Sequence, residues 1–171
     1  MSITKKNLIS CALVLLVGAS YGQTQNYQTY TLFMYSFTKF VQWPPEDNNG
    51  DFEIAVLGES PILSELKTMA EKKRGGSRPI HITKINALSE YKKSHIIFVS
   101  PDWSAKYPEV VTKIGDAPVL LVTEQATGAN KGAVNFVNNK EGRLAFELNQ
   151  TDLAKHHLKA SAELTRLAIT N

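Results

Sequence analysis

A chain of 171 residues has room for one domain preceded by a targeting segment. Its 19 Lys+Arg against 16 Asp+Glu become 17 against 16 once Lys5 and Lys6 leave with an N-terminal leader (19 − 2 = 17), and a net charge of +1 gives no support to nucleic-acid binding. The one cysteine, Cys11, sits in the same leader, so the remainder is expected to hold no disulfide and no thiol nucleophile.

Residues 1–22 read as a secretory signal, with Lys5 and Lys6 as the basic region and 8–18 as an apolar core too short to span a bilayer. Small residues permit cleavage after Gly22 or after Ala19. Leu8-Ile9-Ser10-Cys11 has the composition of a lipoprotein box, but the apolar run follows the cysteine instead of preceding it, which argues against lipidation. Residues 27–45 are the most aromatic stretch. Tyr27, Tyr30, Met34, Phe37 and Val41, with Phe33 and Phe40 beside them, repeat at helical spacing, and Pro44 and Pro45 are expected to end the helix. Rings this dense need a cover, so the helix is expected to dock on a sheet. Tyr35, Lys39 and Gln42 then flank its apolar face as candidate contacts for a partner.

Residues 52–57 form a strand, and Gly58-Glu59-Ser60-Pro61 turns into a helix reaching about residue 73, with Ser60 able to cap and Pro61 suited to the first position. A strand over 80–85, a short helix over 87–93 and a continuously apolar strand over 95–100 follow. Pro101-Asp102 starts a helix carrying Trp103, Tyr107, Val110, Val111 and Ile114, which Pro108 splits or kinks. After a strand over 119–123 and a polar loop over 124–133, residues 134–137 and 143–148 read as a β-hairpin. One terminal helix is expected over 151–170, with Leu153, His157, Ala160, Leu164 and Leu167 turned inward.

This order implies an α/β fold: a mostly parallel sheet of about six strands with helices on both faces and an antiparallel C-terminal hairpin, a three-layer Rossmann-like sandwich. No dinucleotide fingerprint, Walker loop or nucleophile elbow is present. His156 and His157 point about 100° apart on a helix and cannot share a metal ion, so no metal or cofactor is expected. His157 is expected in the core and His156 in solvent, and His81 and His95, at or within strands, have no carboxylate cluster near them in sequence. Lys155, Lys159, Glu163 and Arg166 form a second stripe on the terminal helix. It reads either as a solvated face with Lys159–Glu163 and Glu163–Arg166 pairs or as a strip for an acidic partner. Asn135 and Asn149 suit turn and edge positions or a ligand, and Glu147 lies between Phe146 and Leu148 on the opposite side of its strand.

Three stretches carry a resemblance. They are 37–44 (FTKFVQWP) followed by 52–58 (FEIAVLG); 95–100 (HIIFVS); and 132–137 (GAVNFV) with 144–149 (LAFELN) and 158–168 (LKASAELTRLA). Together they resemble the YfiR-type family of small exported bacterial proteins over nearly the whole mature chain. The resemblance implies a compact, non-enzymatic periplasmic α/β domain that binds and restrains an inner-membrane diguanylate cyclase, and so influences cyclic-di-GMP output and biofilm formation. It implies an inner-membrane signalling protein, a cyclase or sensor, as partner, with homodimerisation left open and no nucleic acid. Members of that family carry disulfides tied to redox control; a mature chain without cysteine departs from them, which excludes thiol gating here. The competing reading is a periplasmic small-molecule-binding module using the crevice at the carboxyl ends of the parallel strands, built here by 58–60, 100–102 and 124–133.

Overall fold

Runs that are apolar on consecutive residues have no face to give to water, and in the computed structural model, which describes residues 26–169, they become the middle of a sheet. In chain order the elements are α1 (Tyr27–Phe40), β1 (Val41–Gln42), β2 (Phe52–Leu57), α2 (Ile62–Lys72), β3 (Arg74–Gly75), β4 (Arg78–Ile85), β5 (Ile96–Val99), α3 (Tyr107–Ile114), β6 (Leu120–Glu124), β7 (Val134–Asn138), β8 (Leu144–Leu148), α4 (Gln150–Lys155), β9 (Lys159–Ala160) and α5 (Ala162–Leu167). The expected leader 1–22, with Cys11 and its cleavage points, lies outside the described residues.

The seven-stranded sheet has the order β3-β4-β2-β5-β6-β7-β8. Its five central strands are parallel, with β3 antiparallel at one edge and β8 antiparallel at the other. The chain steps from β2 to one side and returns on the other, which puts the topological switch point between β2 and β5. Alternate residues feed two cores. Phe52, Ile54, Val56, Phe98, Val122, Phe136 and Phe146 pack under α1, α2, α4 and α5. Ala55, Leu57, Ile97, Val99 and Leu121 pack against Tyr107, Val110 and Ile114 of α3. The three-layer α/β sandwich expected from the strand-helix alternation is therefore present, with β3 as one strand more than expected.

Helix α1 starts at Asn26, whose side chain accepts from the Gln28 N–H at 3.2 Å. Its rings close over the hairpin: Tyr30 lies tilted 4.7 Å from Phe136, and Phe37 meets Phe146 edge-on at 5.4 Å. The helix stops at Phe40, short of the two prolines. Val41 is extended, and β1 pairs antiparallel with β9, while the Ser161 N–H donates to the Phe40 carbonyl at 2.8 Å. A long-range pairing, not proline, ends it.

The C-terminus differs most from expectation. One helix over 151–170 is replaced by α4, β9 and α5. Each short helix has its own cap: Asn149 accepts from the Asp152 N–H, and Ser161 from the Leu164 N–H. The break falls at His157, in left-handed backbone at φ +56°. That turn reverses the histidines. His156 is buried, its Nδ1 2.9 Å from the Ala117 carbonyl, and His157 is exposed. Downstream, the Ile169 N–H donates to the Phe146 carbonyl at 2.9 Å, and Ile169 bridges to Glu147 alongside β8. Elsewhere the short helix over 87–93 shrinks to a 3-10 turn at Leu88–Glu90, residues Pro101–Lys106 are 3-10 before α3 begins, and Val111 faces outward.

Phe37 is fully buried. Phe37→Ala is expected to lower the unfolding free energy by about 3–5 kcal/mol in urea titrations, with half-buried Phe40→Ala costing less.

Candidate functional site

Two groups of residues distant in sequence meet where β1 pairs with β9. Gln42 stands opposite Lys159 in that ladder, and both are exposed. One turn back on α1, the Lys39 ammonium lies 4.4 Å over the Tyr35 ring, and Lys73 approaches the same ring at 5.6 Å. On α5, beyond β9, Arg166 and Glu163 pair at 3.8 Å. Glu163's own backbone N–H, then the Ser161 hydroxyl, hold its carboxyl below the usual range. Because Lys159 is on a strand, the helical Lys159–Glu163 pair does not form, and the expected stripe Lys155-Lys159-Glu163-Arg166 is broken. What remains is exposed Gln42 opposite exposed Lys159, with exposed Lys39 and half-buried Tyr35 on α1 and exposed Glu163 and Arg166 on α5. Lysines outnumber carboxylates among these residues.

Asn135 and Glu147 also come together, but inside the fold. They are cross-strand partners of the hairpin. Asn135 is buried; its Nδ2 donates to Glu147 at 2.9 Å and to the Ala126 carbonyl at 3.2 Å, and its Oδ1 accepts from Thr123 at 2.8 Å and from the Ala126 N–H at 3.1 Å. Lys131 pairs with Glu147 at 2.8 Å, and the Gly132 N–H donates to Thr123 at 3.0 Å. Every polar group of Asn135 is committed, so this network fastens the 124–133 loop to the hairpin. A cavity of about 410 Å³ opens beside it, bordered by Lys131, Glu147 and Gln150.

The crevice at the switch point is filled by the chain itself. Ser100 Oγ donates to the Leu57 carbonyl at 2.6 Å and also to Asp102. A Cβ at Gly58 would collide with Ser100, Trp103 and Asp102, and only glycine accepts the φ of +88° there without strain. The part of the rim that stays open is the 124–133 loop, where Gln125, Thr127 and Lys131 border a cavity of about 440 Å³.

Sequence reasoning missed a cluster on the far side of β1. His95 is buried and stacked on Phe52 at 4.5 Å, with Trp43 edge-on to Phe52 at 5.1 Å. The Glu53 N–H donates to His95 Nδ1 at 3.0 Å, so the ring proton sits on Nε2 and is donated to the Asp47 carbonyl at 2.9 Å. Arg78 covers the Phe52 ring at 5.0 Å and donates to the same carbonyl at 2.9 Å; Lys93 pairs with the Asp47 carboxylate. Burial, with the charges of Arg78 and Lys93 acting the same way, pushes His95 below the ordinary imidazole value against the opposing pull of Asp47. Burial also lowers Arg78. The visible signal was Gly75-Gly76-Ser77-Arg78, a tight turn delivering a guanidinium. What it would meet depended on the β2–β4 register. That register also joins His81 to Glu53 at 2.9 Å, a carboxylate partner that linear distance concealed.

Because His95 titrates lower in the folded chain than when unfolded, its contribution is complete above about pH 6.5 and is lost as pH falls through that value toward the folded one. Urea unfolding between about pH 5 and 8 is expected to show this loss on the acid side, and His95→Asn, which keeps an acceptor but cannot ionise, to reduce the slope. Asn135→Ala removes a partner from the Thr123 hydroxyl, from both Ala126 backbone groups and from Glu147, which keeps Lys131, and is expected to cost about 1–3 kcal/mol in the same assay.

Among the described residues no group of three or more His, Cys, Asp or Glu is placed to hold a metal ion, and no helix is long and apolar enough to cross a membrane. A search of curated proteins finds no match. The model of the YfiR/HmsC-like family matches residues 27–169, from the first residue of α1 to the bridge at Ile169. That span takes in both sheets and every helix described above, and the chain belongs to the YfiR/HmsC-like family.

Proposed function

We propose that this chain is a non-enzymatic periplasmic regulator that binds the periplasmic part of a membrane-bound signalling protein, a diguanylate cyclase, and restrains it. Membership of the YfiR/HmsC-like family supports the class of function. The observation that supports the reading is the β1–β9 ladder, which sets exposed Gln42 opposite exposed Lys159, with exposed Lys39 just before β1 and exposed Glu163 and Arg166 on α5 just after β9. An antiparallel ribbon tied to two helices is a stiff platform, so a partner binding across it meets little ordering cost. Its lysines suit an acidic face, with attraction that weakens as salt rises. Residues 1–22 act in this reading as the export signal, cleaved after Gly22 or Ala19. The same surface could also receive a second copy of the chain, which the measurement below separates by subunit mass.

The competing small-molecule reading finds its switch-point crevice occupied by Ser100, Asp102 and Trp103, with the 124–133 end of that rim open.

Tagged protein recovered from envelope membranes is expected to bring down a membrane protein with a cyclase domain. The Lys39→Glu, Lys159→Glu double variant should lower that recovery severalfold with an unchanged melting temperature. Undiminished recovery would remove this surface from the interface. Consistent failure to recover any membrane signalling protein would count against the regulator itself.

A further inference from the structure

The cluster around Arg78 borders a cavity of about 490 Å³ between β1 and the β3–β4 turn, lined by Gln42, Trp43, Asn48, Gly76, Ser77 and Arg78 with Thr38, Val41 and Gly75. Three features of its wall are unusual together. The lining holds a guanidinium and no carboxylate. Arg78 commits Nη1 to the Asp47 carbonyl, and no carboxylate lies within ion-pair distance of it among the described residues. Trp43 is 8% exposed, and its indole N–H is buried with no hydrogen-bond partner among the described residues.

An indole N–H can only donate, and a buried donor without an acceptor is rare enough to ask for a cause. A planar guanidinium with free N–H groups matches the two oxygens of a carboxylate or phosphate. Space is available, because a Cβ at Gly76 would meet nothing within 4 Å. The volume exceeds what a bare ion fills and falls in the range of small-molecule sites. Val41 and the Trp43 ring supply the apolar wall that an organic body needs.

We propose that this cavity binds a compact organic anion, a carboxylic acid or a phosphate ester, whose oxygens take the Arg78 guanidinium and whose body lies against the Trp43 side chain. The site is separate from the open part of the strand-end rim at 124–133 and does not depend on the partner surface, although β1 forms one wall of the cavity and one strand of the β1–β9 ladder. An anion held there would press on the ladder from behind.

The two tryptophans give two indole signals in a nitrogen-15 correlation spectrum of the purified protein, and Trp43→Phe identifies which is which. Inorganic phosphate and succinate are titrated separately at constant ionic strength, with neutral succinamide as control. A saturable shift of the Trp43 indole signal with either anion and none with succinamide is expected; which anion binds more tightly tells the phosphate source from the carboxylate source. Arg78→Gln should weaken binding at least tenfold. Since Arg78 also braces Asp47, Ser77→Glu is the second variant: it sets a carboxylate at the exposed rim of the cavity and should weaken binding at an unchanged melting temperature. No saturable shift with either anion, an equal response to succinamide, or wild-type affinity in the folded Ser77→Glu protein would overturn the proposal.

Discussion

The contact between α1 and the C-terminal hairpin is the constraint on which the remaining arrangement rests. Phe37 meets Phe136 at 6.0 Å and Phe146 at 5.4 Å, so the first helix of the domain is packed on strands formed roughly a hundred residues later. With α1 held there, Val41 and Gln42 leave the helix beside Lys159 and Ala160, and the small β1–β9 ribbon becomes possible. With that ribbon formed, Trp43 is delivered against Phe52, and the pocket behind it takes shape. Burial of one face of α1 thus sets both the front surface and the recess at its back.

The layered fold was legible because it depends on period and order. Continuous runs such as Ile96–Val99 leave no solvent face, and their alternation with helical stretches dictates a parallel sheet covered on both sides. The hairpin was legible from the Asn138-Asn139-Lys140-Glu141-Gly142 turn, where Asn139 Oδ1 accepts from the Glu141 and Arg143 N–H groups. The C-terminal helix misled because a helical stripe survives when two short helices replace a long one. Asn149 and Ser161 each cap a short helix, and the break between the two is fixed by pairing of β9 with a segment over a hundred residues earlier.

The site was less legible for the same reason. Asn135 and Glu147 lie twelve residues apart, and only the hairpin register makes them partners. The candidates on α1 and near the C-terminus were chosen as separate patches, and a two-residue ladder joins Gln42 to Lys159. The Trp43–Phe52–His95–Arg78 cluster draws on four segments, of which only the turn before Arg78 was visible in sequence. Its aromatic members look like ordinary core, and Arg78 looks like ordinary turn charge. In structure they are a polar seam running into an apolar layer, which is where selectivity for a ligand is most readily built.

The backbone bond from Ile169 to Phe146 has a consequence for solubility. A sheet open at its rim offers unpaired donors and acceptors to any other strand. Here one rim ends in the two-residue β3, too short to template much, and the other is partly masked where Ile169 lies along β8. That masking leaves fewer unpaired backbone groups for edge-to-edge pairing with another strand. The segment after α5 therefore works as a selvedge, a finished border that keeps the weave from taking on another thread.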